Sequence, residues 1–177
     1  MFFLSFLSVG LVAQSTSWKT AKESSVISYS AAHILHPWKG INKNILGIAV
    51  VDSSNESIEK MAILVYVKDF DSNNSNRDAH ALEVLEALQF PQVKFFSEKI
   101  SINNEQVNLE GTLDFHGEKA PLEIVGKANW FENKLKLSGN FVIQPTKFKV
   151  ELPTFMMIPI NDKLEFDFEL TFEDEKK

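Results

Sequence analysis

Few side chains in this sequence are placed to do chemistry. There are four histidines, His33, His36, His80 and His116, and no cysteine. A zinc site wants three or four ligands converging on one point. His33 and His36 are three residues apart, which on a strand aims them at opposite faces, and Pro37 breaks the pattern behind them. His80 and His116 have no other ligand type grouped with them in metal-site spacing. The expectation is no metal and no cofactor, with the histidines serving as polar partners in walls or loops. Without a thiol, disulfides, cysteine nucleophiles and cysteine-based zinc sites drop out, and no lipid anchor on an N-terminal cysteine is expected. There is no Gly-x-Ser-x-Gly elbow, and the serines between residues 15 and 30 have no activating base beside them. Seven glycines form no phosphate-cradling loop. Acidic residues are plentiful, but in the alternating segments they fall on the wet face, where they titrate normally. The sequence is read as that of a protein without enzyme activity.

One cluster, Arg77-Asp78-x-His80, supports two readings. Asp78 can cap a helix while Arg77 pairs with a carboxylate or covers apolar surface with its stem. Alternatively, Arg77 with His80 can hold an anionic head group, because a guanidinium suits phosphate and a helix N-terminus favours anions.

The cluster opens a short helix expected over residues 78–89. Ser75 and Asp78 fit a capping box. Leu82, Leu85 and Leu88 form the apolar stripe, Glu83 and Glu86 face water, and Pro91 stops the run. Around it the chain alternates like a β protein. Residues 24–33 set Ile27, Tyr29 and Ala31 against Ser28 and Ser30. Residues 107–116 set Val107, Leu109, Leu113 and Phe115 against Asn108, Glu110, Thr112 and Asp114. Residues 134–143 and 163–173 repeat the pattern, the latter with Leu164, Phe166, Phe168, Leu170 and Phe172 on one side. One dry and one wet face mean an antiparallel sheet. About eight strands joined by hairpin-length turns suit a closed barrel, which removes exposed edges. The fold class is therefore all-β, an antiparallel barrel with one short α-helix.

Composition narrows the partners. The 177 residues suffice for one domain, and the net charge of −6 argues against nucleic acid, which needs a clustered basic face. Fifteen phenylalanines against two tyrosines and three tryptophans give much aromatic surface without a polar handle. The first thirteen residues, MFFLSFLSVGLVA, carry no charged side chain and are too short to span a bilayer. They read as a signal peptide (1–13) cleaved before Gln14, the other possibility being a first buried strand. Residues 14–177 are then a single domain. The segment 145–161 contains the apolar stretch Phe155-Met156-Met157-Ile158, which either caps the core or forms a greasy lip.

Several of these pieces together resemble the YceI family over roughly residues 18 to 172. SSVISYSAAH is similar to its opening strand, Trp38-Lys39-Gly40 to a short loop ending in glycine, and NRDAHALEVLEALQFPQVKFFS to its most specific stretch. Gly111, Leu113 and Gly117 match its Gly-x-Leu-x-x-x-Gly hairpin. After Phe141-Val142-Ile143 the run QPTKFKVELP departs from the family's glycine-containing turn. The resemblance implies a lipocalin-like barrel, periplasmic or secreted, with no stable membrane anchor, holding a polyisoprenoid or similar long-chain lipid in an apolar tunnel. The candidate tunnel walls on the dry faces are Ile27, Tyr29, Leu109, Leu113, Phe115, Ile124, Leu137, Phe141, Phe166 and Phe168. Arg77 and His33 are the candidate head-group contacts. Periodicity leaves open whether those side chains line a hollow or fill it. A filled barrel would act instead as an interaction or stress-protective module through its surface.

Overall fold

Inward-facing apolar residues at every second position need a surface that curls around them, and here the sheet closes on itself. A computed structural model of the chain describes residues 15–32, 37–155 and 158–174. Twelve strands follow in order: β1 Thr16–Thr20, β2 Val26–Ala32, β3 Pro37–Asn42, β4 Leu46–Asp52, β5 Ser57–Tyr66, β6 Gln92–Asn103, β7 Gln106–Phe115, β8 Glu118–Phe131, β9 Lys134–Ile143, the two-residue pair β10 Thr154–Phe155 and β11 Ile158–Pro159, and β12 Leu164–Glu173. Among the described residues there is one α-helix, α1, Ser75–Val84, between β5 and β6.

The barrel has eight strands, all antiparallel, in the order β1-β4-β5-β6-β7-β8-β9-β12. It closes where Lys19 and Thr20 of β1 meet Glu173 and Phe172 of β12. Along the rest of β12 the same edge is taken by β2, with Phe166 opposite Tyr29 and Phe168 opposite Ile27. Strands β1 and β2 are thus one barrel strand broken by the 3-10 turn Lys22–Ser24. Strand β3 folds back on β2 and returns to the wall through a bridge between Ile41 and Asp71. Register shifts between Val50 and Val51 and between Ser97 and Lys99 mark bulges, which sharpen the coiling that closure requires. At the second of these the Ser97 hydroxyl donates to the Glu110 carbonyl at 2.6 Å.

The two ends of the barrel differ. At the end formed by the Asn103–Gln106 and Phe131–Lys134 turns, the interior is filled. Trp18 meets Trp130 edge to face at 6.1 Å. Val51, Val107, Leu135, Leu137 and Phe172 have no solvent exposure at all. At the other end sit α1 and the connection from β9 to β12, which begins with the 3-10 turn Pro145–Phe148.

The helix is phased differently from the sequence expectation of 78–89. Asn74, not Ser75, is the cap, its side-chain oxygen accepting from the Arg77 N–H at 3.0 Å. Asp78 does not complete a capping box but reaches the loop before the helix, accepting from the Ser72 N–H at 3.2 Å and the Ser72 hydroxyl at 2.5 Å. The helix stops at Val84, and Leu88 lies in the turns beyond it, fully exposed. Leu88 therefore does not belong to the apolar stripe. The expected signal peptide, His33, His36 and the Met156-Met157 pair lie outside the described residues.

Candidate functional site

Beneath α1 the barrel is hollow. A cavity of about 240 Å³ runs down its axis. Mainly aliphatic residues of β5 (Met61, Ile63, Val65), β6 (Val93, with Phe95) and β7 (Leu109, Leu113, with Phe115) form one side. The opposite side is aromatic. Tyr29 stands edge to face with Phe70 at 5.5 Å and near Phe166 at 6.4 Å, and Phe166 stacks on Phe141 at 5.0 Å with an 8° tilt. This ladder exists because neighbouring strands carry these rings at opposed register positions, Tyr29 to Phe166 and Phe166 to Phe141. Ala81, Leu82, Val84 and Leu85 of the helical region form the roof.

Nine of the ten wall residues expected from the sequence border this cavity: Ile27, Tyr29, Leu109, Leu113, Phe115, Ile124, Phe141, Phe166 and Phe168. Leu137 does not. It faces inward as expected, but it is fully buried between Ala128 and Leu170, one inward position below Gly139, at the level where the cavity ends, Leu170 being the last residue there to border it. Alternation fixes the face of a strand residue but not its height along the axis, and height decides this case.

The helix end of the cavity is polar. Lys68, Arg77, Asp78 and His80 border it there together with Trp38. Arg77 is half-buried and partly committed: its Nε donates to the Ser72 hydroxyl at 2.9 Å and its Nη2 to the Ser72 carbonyl at 2.8 Å. Its guanidinium carbon lies 6.0 Å from the centre of the Trp38 ring. The contacts expected for the pair are replaced: Asp78 accepts from Ser72 instead of capping the helix, and the Arg77 hydrogen bonds go to Ser72 instead of a carboxylate, while the guanidinium borders the cavity. His80 is exposed, with its Nδ1 3.6 Å from a Glu83 carboxylate oxygen. The Tyr29 hydroxyl sits among these groups. Burial pushes its pKa up, a hydrogen bond with the Trp38 side chain and the nearby Arg77 charge oppose that, and the Asp78 charge adds to it. Tyr29 therefore stays a neutral hydroxyl throughout the physiological range.

His116 was expected only as a polar partner in a wall or loop, and its two contacts had no counterpart in the sequence pattern. It turns the β7–β8 hairpin with a positive φ of 51°, followed by Gly117 at 76°, the geometry of the tight turns hairpins favour. Its ring is buried. Nδ1–H donates to the Phe148 carbonyl at 2.9 Å, and Nε2 lies 3.0 Å from a Glu86 carboxylate oxygen. The imidazole therefore ties the hairpin to the Pro145–Phe148 turn and lies against the segment that follows α1. Among the described residues, no three histidine, aspartate or glutamate side chains are grouped to hold a metal ion. What the arrangement can do is keep a long apolar group out of water and meet a polar end at the helix.

Comparisons with known proteins agree with this architecture. The family model for the YceI-like domain matches residues 18–172. Curated relatives are each 25% identical: a Protein YceI of Salmonella newport over 120 residues, covering 65% of this chain and 63% of that protein, and one of Salmonella agona over 130 residues, covering 71% and 68%. The chain thus spans less than two thirds of the length of the first of these relatives. Among solved structures, BcnA of Burkholderia cenocepacia superposes with a TM-score of 0.76 at 16% identity, covering 86% of this chain and 98% of that one. A polyisoprenoid-binding domain from Saccharophagus degradans, implicated in plant cell wall breakdown, gives 0.70 at 10% identity, covering 90% and 99%. A YCEI protein of Campylobacter jejuni gives 0.68 at 19% identity, covering 77% and 85%. With a family match over nearly the whole barrel and this fold beneath it, the chain belongs to the YceI-like domain family.

Proposed function

We propose that this protein is a non-enzymatic carrier or scavenger of a long apolar lipid, a polyisoprenoid or a chain of similar shape, held inside the barrel. The observation that carries the reading is the apolar cavity beneath α1. Its mechanism is sequestration, with no bond made or broken. Burial in such a space stabilises by roughly 0.8 kcal/mol per methylene, so one five-carbon isoprene unit contributes about 4 kcal/mol before ordering costs. A chain of several units needs little help from its head group, which suits a mouth where Arg77 is already shared with Ser72. The head group sits near Arg77 and the Tyr29 hydroxyl. The Saccharophagus neighbour, described as polyisoprenoid-binding, supports the ligand class.

The test is native mass spectrometry of protein purified from its own host, followed by titration with farnesol carrying a nitrobenzoxadiazole fluorophore. Bound hydrocarbon of several isoprene units and saturable probe binding are expected. Ile124→Trp, which places a large ring in the cavity wall, should abolish binding in a folded barrel. Empty protein that ignores the probe would leave the surface-acting interaction module as the better reading. The proposed site of action is outside the cytoplasm, after removal of residues 1–13. Intact-mass measurement of the mature protein should then find a chain beginning at Gln14.

A further inference from the structure

Strands β8 and β9 part company half way along the wall. They pair only from Gly126 and Gly139 to Phe131 and Lys134. Beyond the two glycines, residues 118–125 of β8 are bonded to β7 and residues 140–143 of β9 to β12. Among the described residues, no backbone hydrogen bond joins the two free edges. Barrel closure normally removes such edges. The fork starts where both strands lack a side chain: a Cβ on Gly126 would lie 2.4 Å from the Ser138 carbonyl oxygen.

The gap is stopped by a plug rather than by pairing. The turn Pro145–Phe148 leans into it, and the buried Phe148 ring meets Phe115 edge to face at 5.4 Å. Polar contacts hold the turn: His116 to the Phe148 carbonyl, the Lys149 ammonium to Glu118 at 2.6 Å, and both the N–H (3.0 Å) and the hydroxyl of Thr146 to Asp162. Outside lies a groove of about 440 Å³, bordered by Pro121, Val142 and Phe148. Leu113, Leu122 and Ile143 border both this groove and the barrel cavity. One layer of side chains therefore separates interior from surface here. Val125 and Val142, 52% and 48% exposed, extend the apolar path outward.

We propose that this seam is a lateral port, with Phe148 as its plug, through which the ligand's apolar chain enters and leaves the barrel. The inference rests on the lipid-binding reading above. Threading a hydrocarbon chain lengthwise through the helix end would drag it past Lys68, Arg77 and Asp78. The sideways path breaks no strand hydrogen bond and moves a single turn. The chain passes Leu113, Leu122, Ile143, Val142 and Phe148. Gln144, Lys147, Asp162 and Lys163 also border the groove, and the head group remains at the polar end.

The chain has no cysteine, so E118C/K149C joined by a reducible bismaleimide fastens the plug cleanly. Stopped-flow fluorescence then follows uptake and release of the labelled farnesol. Fastening should slow both rates at least about tenfold, as for other gating segments, at unchanged affinity, and reduction should restore them. Unchanged rates in the fastened protein would overturn the port and leave the helix end as the entrance. Failure of the unfastened protein to bind the probe at all would remove the lipid-binding reading, and the port with it. Phe148→Ala gives an independent reading in a barrel shown to be folded by circular dichroism: both rates should rise, and unchanged rates again overturn the port.

Discussion

Tyr29 holds its position over the cavity because its partner across β2 and β3 is Gly40. A Cβ there would lie 2.3 Å from the Tyr29 ring. The ring cannot retreat easily, since Phe70 and Phe166 flank it at 5.5 and 6.4 Å. Gly40→Ala should therefore cost about 1–3 kcal/mol, as overpacking does. In a Tyr29→Leu background most of that cost should vanish, a coupling that urea denaturation of the four variants measures directly. The inner face of Tyr29 was legible in the alternation of residues 24–33. The strand carrying Gly40 was not: Pro37 and Gly40 within four residues read as a loop, whereas the glycine is there to admit a ring. Asp52 provides a second residue-scale prediction. It closes the β4–β5 turn, accepting from the Asn55 side chain at 2.7 Å and from the Ser54 and Asn55 N–H groups at 3.0 and 3.2 Å. These bonds, the Asn55 side chain first, hold its carboxyl below the usual carboxylate value. A depressed folded pKa means that the stabilisation is present above the unfolded value and is lost as pH falls through the folded one. Thermal melts of Asp52→Ala should thus fall below wild type at pH 7, and the gap should begin to close only as the pH falls below about 4.

The elements that position the site depend on contacts that alternation cannot encode. Helix α1 roofs the cavity with no buried residue of its own. Ten residues are too few for a helix to persist alone in water, so its ends matter. Asn74→Ala should remove about 1 kcal/mol from it. Hydrogen exchange should show faster amides across Ser75–Val84 with the barrel strands unchanged; uniform loss of protection would mean that the helix and barrel unfold as one unit. The sequence displayed the helix and its Pro91 stop, but its phase was set by Asn74 accepting from Arg77 and by Asp78 reaching Ser72. Serine, asparagine and aspartate within five residues offer several competing caps, and tertiary placement of Ser72 chooses among them. The barrel was legible because β2, β7, β9 and β12 alternate cleanly and hairpin-length turns separate the runs. The break of the first barrel strand into β1 and β2 was not, because five residues, Thr16–Thr20, hold too little pattern. The fork between β8 and β9 was hidden for another reason: the inward positions of both strands keep their period of two through the point where they separate.

At the scale of the whole molecule, the barrel is two structures end to end, one packed and one hollow. The fifteen phenylalanines weigh for filling, yet Phe141 and Phe166 stack along the wall and leave the axis open. A ring laid against a neighbour covers much surface while projecting little, so ring count is a poor guide to filling. The division predicts that truncation has opposite consequences at the two ends. Leu137 is fully buried among Ala128 and Leu170. Leu137→Ala leaves a void that close-packed neighbours cannot collapse into, and should cost about 2–5 kcal/mol. Probe affinity should barely move, because Leu137 does not border the cavity. Phe141 already faces open space on one side and lacks partner atoms there, so Phe141→Ala should cost less, roughly 1–2 kcal/mol. It also widens the chamber and removes the surface that Phe166 stacks on, so affinity for the labelled farnesol should fall by about tenfold, the worth of one or two lost methylene contacts. Urea denaturation and fluorescence titration of the two variants give both numbers. A larger stability loss at Phe141 than at Leu137, or an affinity loss at Leu137 alone, would place the hollow at the tryptophan end instead.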